Sequence, residues 1–253
     1  MKLSQHDIAK LKPYRFFDHT NPLVVKETFA SVFNDERQAL IELERVCEVM
    51  NAPDLKVAAS IFMKRYAFLP VITLYSMTML KKKLNPSIQN ISFIDSFEND
   101  MWLPSIKFQS MSSIDMDTDY PHLREKLYRE LFAQHIYGVM DTLSRVTKLS
   151  KLIMWENIGI YLFWLYESLL EENKDPMIHR LITEDFHFLL DDQNAKLFGP
   201  YNHNPLKRYF HEKRYFQQYD AHVRVRSTCC FSYRLDEKEN RCKTCPQACK
   251  KLR

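Results

Sequence analysis

The sequence predicts a predominantly helical α+β protein: a helical body, a small antiparallel sheet and a cysteine-bearing C-terminal segment. Apolar residues recur at three- and four-residue spacing over much of the chain up to Leu190, the period of half-buried helices. Short alternating stretches interrupt that pattern in a few places. Four of the six cysteines fall between Arg226 and Pro246.

The elements follow in order. Asp35–Met50 places Leu40, Leu43, Val46, Cys47 and Met50 on one helical face, with Asp35 as N-cap. Asp54 caps a second helix running to about Phe68, and Pro70 opens a third that ends in the Lys81–Lys83 run, where the helix dipole favours cations. Ile88–Phe108 alternates around Glu98-Asn99-Asp100 and reads as a hairpin, with Pro104 confined to an edge. Tyr120 to about Leu149 repeats Leu123, Leu127, Leu131, Val139 and Leu143 as one long helix. Lys151–Glu172 is apolar on nearly all sides, the mark of a central helix, and Asp175–Leu190 is a shorter one with Pro176 first. Arg208–Tyr219 and His222–Leu235 are rich in aromatic and β-branched residues and are expected to be extended. The expected organisation is a mainly helical body over 1–200, with a hairpin near 88–108, and a basic, β-rich segment over 201–253 carrying the cysteine motif, the two integrated into one domain.

Composition narrows the function classes. The 253 residues have a mean hydropathy of −0.39, and the longest run without a charge, Tyr66–Leu80, is fifteen residues. That run is shorter than the roughly 20 residues of a membrane helix. The start MKLSQHDIAK has no apolar signal core, so a cytoplasmic protein is expected. Only Gly138, Gly159 and Gly199 occur, too far apart for a Gly-rich phosphate cradle. This argues against Rossmann and P-loop nucleotide sites. From Tyr201 onward there are 13 Lys/Arg against 5 Asp/Glu, whereas the first 200 residues carry 23 against 27. An anionic ligand or partner is expected at the tail.

Candidate motifs separate by chemistry. Asp115, Asp117 and Asp119 mimic a calcium loop, but Tyr120 stands where the sharp turn needs Gly and Lys126 where a bidentate Glu belongs. His135 lies in the apolar series of its helix and reads as a hydrogen-bonded core histidine, and Cys47 as a small apolar filler. Lys207–Phe216 interleaves basic and aromatic residues; this suits single-stranded nucleic acid, an anionic small ligand, or a packed edge with a solvated basic side. The strong signal is Cys229-Cys230 followed by Cys242-x-x-Cys245. Nothing indicates an oxidising compartment, and vicinal cysteines bridge only with strain. Four thiolates suit zinc or a [2Fe–2S] cluster, and spacing alone decides for neither. Adjacent side chains of a straight strand face opposite ways, so Cys229 and Cys230 need a kink to share a site.

The segment Arg226–Arg234 (RSTCCFSYR) followed by Cys242-Lys-Thr-Cys245-Pro246 resembles the C-terminal signature of the FhuF-type ferric-siderophore reductases, and Trp155-Glu156-Asn157 is similar to part of that family's helical region. The resemblance implies that Cys229, Cys230, Cys242 and Cys245 ligate a [2Fe–2S] cluster, and that Cys249 does not. The eleven residues between Cys230 and Cys242, one more than usual, are expected to loop out at Asp236–Asn240. The implied activity is one-electron reduction of a ferric siderophore of hydroxamate or citrate-hydroxamate type, which releases Fe(II). The implied partners are the ferric siderophore and a one-electron donor such as a ferredoxin, with room for transient association with a siderophore permease at the inner face of the membrane. No nucleic acid is expected. Arg214, Arg224, Arg226 and Arg234 are the candidate docking residues, with Arg241 also near the cluster. The competing class is a non-enzymatic zinc module that contacts nucleic acid or protein through the basic tail.

Overall fold

The computed structural model describes residues 2–18, 26–235 and 240–250. A short helix α1 (Gln5–Leu11) begins with a reciprocal cap in which the Ser4 hydroxyl accepts from Asp7 N while the Asp7 carboxylate accepts from Ser4 N. At seven residues it offers too little periodicity to be recognised from sequence. Strand β1 (Glu27–Phe29) leads to α2 (Glu36–Val49), α3 (Leu55–Tyr66) and α4 (Phe68–Leu80). Five short strands follow: β2 (Lys82–Leu84), β3 (Ile91–Ile94), β4 (Phe97–Glu98), β5 (Met101–Trp102) and β6 (Ser105–Phe108). Next come β7 (Ser113–Asp115), α5 (Tyr120–Tyr128), a π-helical stretch at Arg129–Ile136, and α6 (Tyr137–Thr147). The chain continues through α7 (Lys151–Glu172), α8 (Pro176–Leu190), β8 (Arg214–Phe216), β9 (Ala221–Val223) and α9 (Pro246–Lys250).

The expected caps form at Asp35 and Asp54, which accept from Gln38 N and Val57 N at 2.8–2.9 Å, and Asp175 caps α8 in the same way, accepting from Met177 N at 2.9 Å. Helix α7 is central: Trp155, Ile158, Leu162, Phe163 and Tyr166 are buried, and it packs against α3, α4, α6 and α8. The predicted break before Pro70 is smaller than expected. Only Ala67 separates α3 from α4, and Pro70 sits in the first turn of α4, where a missing N–H breaks no helical bond. Together Leu55–Leu80 is long and apolar enough to cross a membrane, yet 89% of its most apolar window is buried inside the protein.

The hairpin is present, with β3 antiparallel to β6 (Ile91 opposite Phe108) and β4–β5 nested inside it. Asn99 and Asp100 both take the left-handed conformation that a two-residue turn requires. β1 adds to the other edge of β3, giving the order β1-β3-β6. Phe93 and Trp102 pack on Phe62 of α3, which fixes the sheet to the helical body. β2–β7 and β8–β9 are separate two-stranded ribbons.

Two expectations change. Arg208–Tyr219 and His222–Leu235 contain only the three-residue strands β8 and β9. The aromatic residues that suggested strands dock on helices instead: Phe210 stacks edgewise on Phe163 and Phe186, and the Tyr209 hydroxyl donates to Leu152 O at 2.8 Å. The long helix expected at 120–149 is interrupted by the π-helical stretch, in which buried His135 bridges Pro86 O (2.6 Å) and the Tyr66 hydroxyl (2.8 Å). The neutral imidazole satisfies both contacts by donating through Nδ1 and accepting through Nε2.

Burial lowers the pKa of His135 to about 4, opposed only by the Pro86 carbonyl. Below its ordinary pKa the unfolded chain binds a proton that the folded chain refuses. Stability attributable to this group is therefore complete above about pH 6.5 and declines as pH falls toward 4, by roughly 3 kcal/mol. Denaturant titrations across that range should show the decline in the wild type, and His135→Asn should flatten it while lowering stability at neutral pH.

Candidate metal centre

The tail leaves β9 at Val223, crosses the face of α3 and α7, and returns through a turn into α9. Cys229, Cys230, Cys242 and Cys245 all line one small cavity, together with Arg226, Ser232, Tyr233, Arg241 and Pro246. Directly after the vicinal pair the chain turns at Phe231, whose φ of 63° is left-handed. In that conformation Phe231 N donates to Cys229 Sγ at 3.4 Å. The second knuckle is a tight turn, Cys245 N to Cys242 O at 2.9 Å, and Arg226 N to Thr244 O at 2.9 Å ties the two knuckles together. The loop expected at Asp236–Asn240 lies outside the described residues except for Asn240.

The helical body holds the first knuckle through buried polar groups. The Glu156 carboxylate accepts from Ser227 N (2.5 Å), Thr228 N (2.7 Å) and the Thr228 hydroxyl. Arg226, 4% exposed, donates from Nη2 to Asn157 Oδ1 at 2.5 Å. Asn157 Nδ2 in turn donates to Ser60 O (2.8 Å), and the Ser60 hydroxyl donates to Cys230 O (2.8 Å). Arg226 Nε lies 3.6 Å from Glu156 and has no hydrogen-bond partner. The sequence signal for this support was Trp155-Glu156-Asn157, near the start of α7, through its similarity to the family's helical region. Ser60, Ser232 and Thr244 carried no signal.

The thiols contact each other in crossed pairs. Cys230 and Cys242 are within hydrogen-bonding reach, as are Cys229 and Cys245. The Cys242 contact, with Lys64 and Arg226 nearby, pulls Cys230 down to about 4, and the same contact together with burial pushes Cys242 up. Burial raises Cys229. Burial also acts on Cys245, but the N–H groups of Ala248 and Gln247 and the Arg241 guanidinium outweigh it and lower the pKa. Further hydroxyl partners stand at Cys230 (Ser232 Oγ, 3.1 Å) and Cys242 (Thr244 Oγ1, 3.5 Å). Such contacts favour thiolates and orient them.

The donor set fits a [2Fe–2S] cluster. All four donors are soft thiols, and each iron of such a cluster takes two. Among the described residues no three His, Cys, Asp or Glu side chains gather closely enough around one point to hold a single metal ion.

The other candidates are placed differently. Cys249 is buried outside this cavity, with Sγ 3.4 Å from Lys243 O, and Cys47 lies far along the chain on α2 against Ala52 O. Arg224 is held by Glu167 (2.7 Å) and His211 O (2.6 Å) and lies over Phe210, while Arg234 pairs with Asp54 at 2.8 Å. Arg241 stacks over Tyr233 beside Cys245. Arg214 is exposed. Asp119 caps α5, so the DMDTD segment has a local structural role.

Asn157→Leu should leave the buried Arg226 guanidinium without its closest acceptor, at a cost of about 1–3 kcal/mol. The double variant N157L/R226M should lose clearly less than the sum of its two single variants in a denaturant cycle.

Residues 60–218 match the family model described as ferric iron reductase FhuF-like transporter, and residues 226–247 match the FhuF 2Fe-2S C-terminal domain. No curated protein and no solved structure matches the chain. The first match spans α3 through β8 and so includes the Ser60–Glu156–Asn157 support, while the second spans both cysteine knuckles. The chain therefore belongs to the FhuF-like ferric iron reductase family and carries that family's [2Fe–2S] C-terminal domain.

Proposed function

We propose that the protein is a ferric-siderophore reductase, in which Cys229, Cys230, Cys242 and Cys245 hold the cluster and a ferric hydroxamate or citrate-hydroxamate complex is the substrate. The observation that carries this reading is the four-thiol cavity at the end of a chain belonging to a ferric iron reductase family. Hard oxygen donors hold Fe(III) tightly and Fe(II) weakly, so adding one electron turns a sequestered ion into a labile one. The cluster supplies single-electron chemistry when bound. Glu156 and Arg226 fix the first knuckle, Ser232 and Thr244 place hydroxyls against the sulfurs, and the helical body limits water at the buried Cys230 and Cys245.

Electrons come from a separate one-electron carrier such as a ferredoxin, since no Gly-rich dinucleotide cradle exists in the sequence. Arg241 and Tyr233, beside the thiols, form a basic and aromatic surface suited to an acidic donor. The reaction takes place in the cytoplasm, near the inner face of the membrane, where transient contact with a siderophore permease shortens the path of the incoming complex.

An anaerobic visible spectrum tests the reading first: the purified protein should be red-brown and bleach on reduction, and a colourless zinc protein would overturn it. Serine at Cys229, Cys230, Cys242 or Cys245 should abolish or strongly alter the spectrum, whereas Cys249→Ser and Cys47→Ser should preserve it. NADH or NADPH alone should leave the protein oxidised, and addition of a ferredoxin with its reductase should start turnover of a ferric hydroxamate, followed with a chromophoric Fe(II) chelator. Rapid direct bleaching by NADPH would disprove the separate-carrier assignment.

A further inference from the structure

A cavity of about 450 Å³ lies against the four-thiol cavity, within the volume range of small-molecule sites. The two share Arg226 and Pro246 as a common wall. Tyr215, Phe216 and Val225 make its remaining sides largely apolar, and His211, Glu212 and Arg214 supply its polar groups. No bound group is needed to explain the cavity's shape, because its wall is set by the buried Arg226–Asn157 contact and by the turn into α9.

Its charge is smaller than the tail's composition suggests. Lys213 and Arg224 both bind Glu167, and Arg226 lies against Glu156. Among the described residues, the lining charges left without an ion pair are Arg214 and Glu212, which are opposite in sign. A multiply charged anion would lose its hydration there without gaining matching cations. A complex of low net charge with an apolar periphery would not meet that cost. Three hydroxamate arms, each losing one proton, balance Fe(III), whereas three catecholate arms lose two protons each and leave a trianion.

The geometry points to this cavity as the docking site of the ferric chelate, with Arg226 and Pro246 as the partition between chelate and cluster, and with near-neutral charge as the basis of selection. The inference rests on the reductase reading for the presence of a chelate. It goes further in assigning the site and the charge of what enters.

The test uses holoprotein and redox-inert gallium complexes, so binding is read without turnover. Wild-type protein should bind a neutral gallium trihydroxamate, as followed by intrinsic fluorescence or calorimetry. Val225→Trp, which fills the cavity, should weaken this by at least about tenfold with the visible spectrum unchanged. Tyr215→Ala alters only an exposed side chain and should weaken binding in the same direction; it decides the matter if Val225→Trp fails to fold. Glu212→Arg should raise affinity for a gallium tricatecholate while leaving the trihydroxamate little changed. Wild-type binding that persists undiminished in both Val225→Trp and Tyr215→Ala would overturn the docking site and leave the reductase reading intact. A clear wild-type preference for the trianion would overturn the charge argument. If the wild type keeps its cluster yet neither binds gallium chelates nor reduces ferric ones, the reductase reading fails together with the site.

Discussion

A single buried cation joins the two parts of this molecule. Arg226 precedes the first cysteine knuckle, and its guanidinium lies among Asn157 and Glu156 of the central helix. Taking a guanidinium out of water is costly, and well-packed apolar residues of similar volume would often join the segments with equal stability. What the polar contact adds is direction. Asn157 reaches both Arg226 and Ser60, while Ser60 and Glu156 bind the backbone of the knuckle itself at Cys230, Ser227 and Thr228. Every one of these contacts is lost if the tail slips by a residue. The cysteines are thus registered against the helical body by a network whose contacts form together in one register.

The basic tail takes on a different meaning beside its partners. Lys207, Lys213, Arg224 and Arg234 pair with Asp192, Glu167 and Asp54, and all of these acids belong to the first 200 residues. With Arg226 beside Glu156, five of the tail's thirteen Lys and Arg residues are paired with acids of the body. Arg224 also lies over Phe163 and Phe210, so its removal would cost packing as well as charge. Net charge along a sequence measures a surface field only after such pairs are subtracted.

Much of the body was legible because its signals are local. Asp35, Asp54 and Asp175 mark helix starts, the all-round apolar run marks α7, and Asn99-Asp100 marks the hairpin turn. The π-helical stretch was not legible; it carries His135, whose partners Pro86 and Tyr66 lie 49 and 69 residues away. The tail misled for a related reason. Phe210 and Tyr209 raise strand propensity in sequence, yet each is used in a contact with a helix. Of the candidate site, the cysteines announced themselves through spacing and resemblance. Ser60, Ser232 and Thr244 did not, because a hydroxyl that supports a sulfur looks like any other in the sequence.

The crossed arrangement of the thiols makes the metal centre a clasp. Each pair takes one sulfur from Cys229-Cys230 and one from Cys242-x-x-Cys245. A group bound in this way would fasten both ends of the eleven-residue segment between Cys230 and Cys242, leaving its middle free of any role in setting the distance between sulfurs. Closure entropy varies only logarithmically with loop length, so that doubling such a segment adds only about 0.6 kcal/mol. One further residue shifts this by a small fraction of that amount. The span between the knuckles is therefore a place where insertions cost little while the sulfur geometry stays fixed.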